Sequence, residues 1–255
     1  MISRFSTRVM LACALALIAS TVSASTINSY GPLSGSSVEF SSVVERVVFP
    51  GSAPTLFGPP SVGAAAPGQD KLSFQPLPFS VNAEGADDGE LADASLFIDV
   101  KANPGLFIDA VSYSETGGYG QVGASSVSSQ LLGLAVKVTR LEGVAGPVSI
   151  LLPVSPVQFS SDLVSGFEIG TWTTGFDIDV TSALAGLGFA GAKATELSIV
   201  FDNALAAFTS SASAQAFIDK KDAALCVTAV PEPGTLCLLG MAGLAGLGLI
   251  LRRKK

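Results

Sequence analysis

Short apolar runs alternate with turn residues along most of the chain, and no stretch of the middle keeps a helical period for long. Val38 to Phe49, Leu72 to Val81, Leu96 to Val100, Leu106 to Tyr113, Leu134 to Leu141, Val148 to Val154, Phe176 to Val180, Leu197 to Phe201, Ala216 to Ile218 and Ala224 to Thr228 therefore predict strands. Asn103-Pro104-Gly105 is a turn sequence between two of these runs, so Leu96 to Tyr113 predicts a hairpin. In Phe176-Asp177-Ile178-Asp179-Val180 the alternation is strict, which puts the apolar side chains on a core face and the two carboxylates on a wet one. Thr181 to Gly188 predicts a short helix capped by Thr181 or Ser182 and ended by glycine. Pro54 to Gly68, built largely of glycine, proline and alanine, predicts a long surface loop. Strands at this spacing predict a mainly β fold, a jelly-roll-like β-sandwich, with no period of the kind a solenoid or propeller requires.

The two ends break this pattern. Met1 to Arg8 carries Arg4 and Arg8 and no acid, and it is followed by the apolar stretch Val9 to Ala19 and the small residues Ser20 to Ala24. That order predicts a signal helix over residues 1–24, cleaved between Ala24 and Ser25. The exported domain is then residues 25–229. At the other end Pro231-Glu232-Pro233 precedes an uncharged apolar run, Thr235 to Leu251, and the cluster Arg252-Arg253-Lys254-Lys255. At about 1.5 Å per residue the run reaches roughly 25 Å, the short end of a transmembrane helix. The basic cluster predicts a stop-transfer tail left in the cytoplasm, with the domain outside. The prolines remove backbone donors and favour an extended strand, which keeps the segment accessible beside the bilayer.

Composition sharpens this division. Hydrophobic residues make up 48% of the 255, concentrated at the two ends, so the hydrophobicity is not that of a multi-span membrane protein. All but one of the 21 acids lie in the middle, against all but six of the 14 bases, so the middle is more acidic than the net charge of −7 of the whole chain. A field of that sign repels phosphate backbones and argues against nucleic acid as a partner. Of the three cysteines, Cys13 lies in the signal and Cys237 in the apolar run, which leaves Cys226 without a disulfide partner in the domain.

The tail from Val230 to Lys255 resembles the PEP-CTERM sorting signal of a large and heterogeneous group of Gram-negative bacterial proteins. The resemblance implies that Pro231, Glu232 and Pro233 are the motif recognised by an exosortase, a membrane-embedded protease or transpeptidase. It also implies an inner-membrane-anchored precursor that is handed on to the cell surface or an extracellular matrix. Asp202 to Ala207 and Ala216 to Asp222, running into Val230-Pro231, are similar to the closing strands of such proteins.

Catalytic signals are sparse. The chain has no histidine, which removes the commonest general base, the usual triads and most catalytic zinc sites. It contains neither a Ser-x-x-Lys dyad nor a Gly-x-Ser-x-Gly elbow. Gly118-Tyr119-Gly120-Gln121-Val122-Gly123 matches the dinucleotide fingerprint in form only, and a glycine-rich turn is the better expectation, with no cofactor. Asp87, Asp88, Glu90 and Asp93 are a weak calcium candidate, since an extracellular protein can use a low-affinity site, but they do not follow the EF-hand spacing. Trp172 shares parity with Phe176 and Ile178 and is expected in the core. The leading expectation is a non-enzymatic surface or matrix protein with a structural, adhesive or exopolysaccharide-associated role. The alternative is an exported carbohydrate-active enzyme or carbohydrate-binding module carrying the same tail.

Overall fold

A computed structural model describes residues 25–47, 55–76 and 79–232. The fold is mainly β, with 68% of the described residues in strands and 4% in helix. In chain order the elements are β1 (Thr26–Ser29), β2 (Leu33–Ser34), β3 (Val38–Val47), β4 (Ser61–Ala66), β5 (Gln69–Phe74), β6 (Ser80–Glu84), β7 (Gly89–Ala102) and β8 (Leu106–Val122). They continue with β9 (Ser125–Leu141), β10 (Ile150–Leu152), β11 (Phe159–Leu163), β12 (Phe167–Asp179), helix α1 (Val180–Gly186), β13 (Ala194–Thr209) and β14 (Gln215–Pro231).

The strands form one curled antiparallel sheet with two halves. One half runs β1, β3, β7, β13, β9, with β10 and β11 on the far side of β9. The other runs β12, β8, β14, with β5 and β6 following one another along the edge of β14 and β4 beside β5. Between the named strands, Ala194 with Ile108 joins the halves edge to edge, and an isolated bridge, Val157 with Gly175 of β12, joins them again just before β11. The curl then lays one apolar face on the other. Leu96, Ile98 and Val100 of β7 and Leu197, Ile199 and Phe201 of β13 meet Ile108, Val111 and Tyr113 of β8 and Ile218, Leu225 and Val227 of β14 in one buried cluster. The Tyr113 and Phe201 rings, from opposite halves, lie 4.6 Å apart between centroids, and Phe57 and Phe176 pack edge-on against Phe201.

Three expectations change. The Asn103-Pro104-Gly105 turn forms, with Gly105 at φ 80° and Leu106 N–H donating to Asn103 O at 3.0 Å, but it does not close a hairpin. β7 pairs with β3 and β13 while β8 pairs with β12 and β14, so the turn is a corner between the halves. Both strands bury their apolar face in the same core, and alternation alone does not say from which side. The Leu72 to Val81 run is interrupted at Pro76, which cannot donate to a ladder; β5 ends at Phe74 and β6 starts at Ser80. Pro54 to Gly68 is not all loop, because β4 folds back on β5 at Gly68 (φ 76°) and Leu56 and Phe57 enter the core.

Smaller differences follow the same logic. Helix α1 forms, but Asp179 caps it, accepting from Ser182 N–H at 2.7 Å, in place of Thr181 or Ser182. The two short runs in 216–228 are one strand, β14, which continues to Pro231. The expected signal helix, the apolar run Thr235 to Leu251 and the basic cluster lie outside the described residues. Among the described residues no helix is long and apolar enough to cross a membrane.

Buried charge is held by dense hydrogen bonding. Asp70 of β5 accepts from the N–H groups of Ser36, Ser37 and Val38 and from both serine hydroxyls, at 2.7–2.9 Å, and so fastens the start of β3 to the other half. Burial alone would raise its carboxyl, but these donors outweigh it and hold it at about 2. A carboxyl lowered from 3.8 on folding stabilises the fold above about pH 4, and that contribution is lost as pH falls toward 2. Urea midpoints are therefore expected to place Asp70→Asn below wild type by about 2 kcal/mol at pH 5, with the gap closing near pH 2.

Candidate functional site

On the outer face of the second half, β12, β8, β14 and β6 lie side by side, and their registers line up two rows of side chains. Phe167, Val122, Gln215 and Glu84 form one row, and Ile169, Gly120, Phe217 and Asn82 the next. Gly120 has no side chain, so the Phe217 ring lies across it; a Cβ there would be 2.3 Å from a ring carbon. The result is a shallow groove of about 300 Å³ floored by glycine backbone. Its apolar side chains stay in solvent, with Phe167 69% and Phe217 40% exposed, and Ile169 beside them 67%. Asn82, Glu84 and Gln215 supply the polar rim, where the Gln215 amide donates to Glu84 Oε1 at 3.1 Å. Exposed rings beside amide and carboxylate groups suit a ligand with both C–H faces and hydroxyls.

The glycines of 118–123 belong to this surface. Gly118 and Gly120 are inside strand β8, which corrects the expected turn, and only Gly123 (φ 69°) bends the chain, into β9. On the inner face Gly117 leaves room for Trp172, whose ring would lie 2.7 Å from a Cβ at that position. Trp172 is 2% exposed and its Nε1–H donates to Gly118 O and Asp219 O, at 3.2 and 3.0 Å, so it is core as its parity predicts. Nothing in the sequence singled out Phe167 and Phe217. The available signal was a hydrophobic residue in the solvent phase of an otherwise alternating strand, as in Phe167-Glu168-Ile169.

The four acids considered for calcium do other work. Glu90 accepts from Asn82 N–H at 2.6 Å and Asp88 from Glu84 N–H at 2.9 Å, which caps the free edge of β6 with carboxylates. Asp87 sits at φ 54° in the turn before β7, and Asp93 lies on the outer face of the other half. Among the described residues no three His, Cys, Asp or Glu side chains gather as a metal would need. Burial also raises the Cys226 thiol, the reverse of what a nucleophile requires.

Pro231 is the last paired residue of β14, opposite Leu106, and the Glu232 N–H donates to Gly105 O at 3.1 Å. The start of the proline-bracketed segment is thus extended, as expected, but it lies against the domain instead of hanging free. Pro233 lies outside the described residues.

Asp93 has an Oδ1 without a hydrogen-bond partner, and burial, with Asp202 nearby, raises its carboxyl to about 6. A raised acid stabilises the fold fully only below the unfolded value of 3.8, and the contribution is lost as pH rises through 6. Asp93→Asn is expected to add about 2 kcal/mol at pH 7 and little at pH 4, measured by urea denaturation at the two pH values.

Residues 229–254 match the PEP-CTERM protein-sorting motif. No curated protein matches the chain significantly. Among solved structures, a TmCBM61 complex with beta-1,4-galactotriose shares 12% identity over 69% of this chain and 90% of that one, at a TM-score of 0.16. A CBM4 structure shares 15% over 69% and 89%, at 0.17, and a putative sugar binding protein from Bacteroides thetaiotaomicron 9% over 71% and 85%, at 0.17. Scores this low establish no shared placement of residues. By the match from the last residues of β14 into the tail, the chain is a PEP-CTERM sorting domain-containing protein, and the motif implies export in bacteria and recognition by an exosortase.

Proposed function

We propose that the protein is a non-enzymatic cell-surface or matrix component whose β domain, a jelly-roll-like sandwich over residues 25–229, holds polysaccharide in the groove between Phe167 and Phe217. In this reading residues 1–24 are removed after Ala24, and Thr235 to Leu251 with Arg252 to Lys255 hold an inner-membrane precursor of a Gram-negative cell. The exosortase then reads Pro231, Glu232 and Pro233. The observation that carries the ligand class is the pair of exposed phenylalanines flanking a glycine-floored groove with an amide and carboxylate rim. Phenyl faces cover sugar C–H surfaces while Asn82, Glu84 and Gln215 take the hydroxyls. Binding is favoured over cleavage because glycoside hydrolysis uses two facing carboxyl groups and Glu84 is the one acid lining the groove.

Affinity electrophoresis through gels containing the host's own extracellular polysaccharide tests the groove. Wild type should be retarded, and Phe167→Ala and Phe217→Ala should each weaken retention about tenfold. Equal mobility of wild type and both variants with and without polysaccharide would remove the ligand reading. Intact mass of protein from the native host tests the sorting: a chain ending near Pro231 is expected, whereas retention of Leu251 through Lys255 would make the tail a permanent anchor.

A further inference from the structure

Three side chains from three strands meet in the centre of the core, with no solvent exposure. Lys220 of β14 places Nζ 2.7 Å from Glu115 Oε2 of β8, and both side chains are completely buried. Nζ also donates to Oδ1 of Asn203 on β13. The Asn203 Nδ2 group donates to the other carboxylate oxygen, Glu115 Oε1, at 2.6 Å. Glu115 therefore bridges an amine and the amide nitrogen of a carboxamide whose oxygen the amine already touches. Tyr113 and Ser129 hydroxyls complete its shell at 2.8 and 3.0 Å, and the Phe57 and Phe79 rings close over Nζ at 4.3 and 4.0 Å from their centroids.

We propose that Lys220 and Asn203 react with one another to form an intramolecular isopeptide bond, with Glu115 as the proton carrier. An ion pair stripped of water is expensive, and passing the proton from the Lys220 ammonium to Glu115 removes both charges at once. Burial already lowers the Lys220 amine to about 8, against the opposing pull of Glu115, so the free base is accessible. Neutral Nζ attacks Cγ of Asn203, the fold already holding Nζ against Oδ1 of the same carboxamide. The Cγ–Nδ2 bond breaks as Glu115 gives that proton to Nδ2, to which it is already hydrogen-bonded, ammonia leaves, and the Glu115 carboxylate takes the second proton that Nζ sheds on becoming an amide. One C–N bond forms and one is lost, with no oxidant, metal or cofactor. Exclusion of water protects the intermediate from hydrolysis.

The product would be a covalent tie between the two halves of the sheet, since β13 and β14 belong to different halves and share no ladder. It would also fix β14, the strand that leads into the sorting motif, to the half that does not carry that motif.

Mass spectrometry of the full chain from an exporting host tests this directly. Wild type is expected about 17 Da lighter than its identified termini require, the mass of ammonia. Trypsin should fail to cut after Lys220, and chymotryptic cleavage after Phe208, between the two residues, should leave the arms joined. Asn203→Ala and Glu115→Gln should restore the full mass. A folded wild type of full mass, or a 17 Da loss with no joined 203–220 peptide, would overturn the proposal. A bond that still forms in Glu115→Gln would overturn the role given to Glu115. Since wild type decides the main question, variants that fail to fold leave it answerable.

Discussion

Glu115 can sit between two apolar layers only if β8, β13 and β14 bring Lys220 and Asn203 to it in one register. A slip of one residue in any of the three strands would turn its member outward and leave a charge or an amide stranded without solvent. The same slip would expose the surrounding aliphatic side chains, but an exposed valine or alanine costs less than a buried charge left without its partner. The polar centre thus acts as the registration point for a sheet whose halves are joined by little backbone pairing, Ala194 with Ile108 and Val157 with Gly175. Asp70 does the same at the periphery, where five donors from Ser36 to Val38 leave it one geometry.

The groove depends on that register as well. Its two rows exist because Gly120 falls opposite both Ile169 and Phe217, and Val122 opposite both Phe167 and Gln215. Glycine at 117 and 120 serves opposite faces of β8: Gly117 admits Trp172 to the core, and Gly120 admits Phe217 to the surface trough. A glycine run that looks like phosphate-binding sequence is here a means of seating two large rings against one strand.

Much of the β architecture was legible in the chain. The alternation around Phe176 to Val180 identified the inward face of β12 and with it the burial of Trp172, because a period of two is local information. What escaped was everything set by which half a strand joins. Asn103-Pro104-Gly105 is the same turn whether it closes a hairpin or rounds a corner, and only the partners of β7 and β8 decide. Lys220 holds the inward phase of Ala216 and Ile218, just ahead of the register shift that passes this phase to Ala223, but a lysine in a strand reads as solvent-facing, and the acid it meets lies far away in sequence. Phe167 and Phe217 were invisible for the opposite reason, since an apolar residue in a strand is assumed to face the core.

Pro231 pairs with Leu106 at one end of β8, while Val122, at the other end of that strand, lies beside the groove. At about 3.3 Å per residue the two ends are roughly 50 Å apart. Whatever grips the chain at Pro231 therefore holds the domain by its base, where the strand is still hydrogen-bonded to the fold. The Phe167 and Phe217 rings then stand at the tip, presented outward from the attachment point like the head of a short, stiff post.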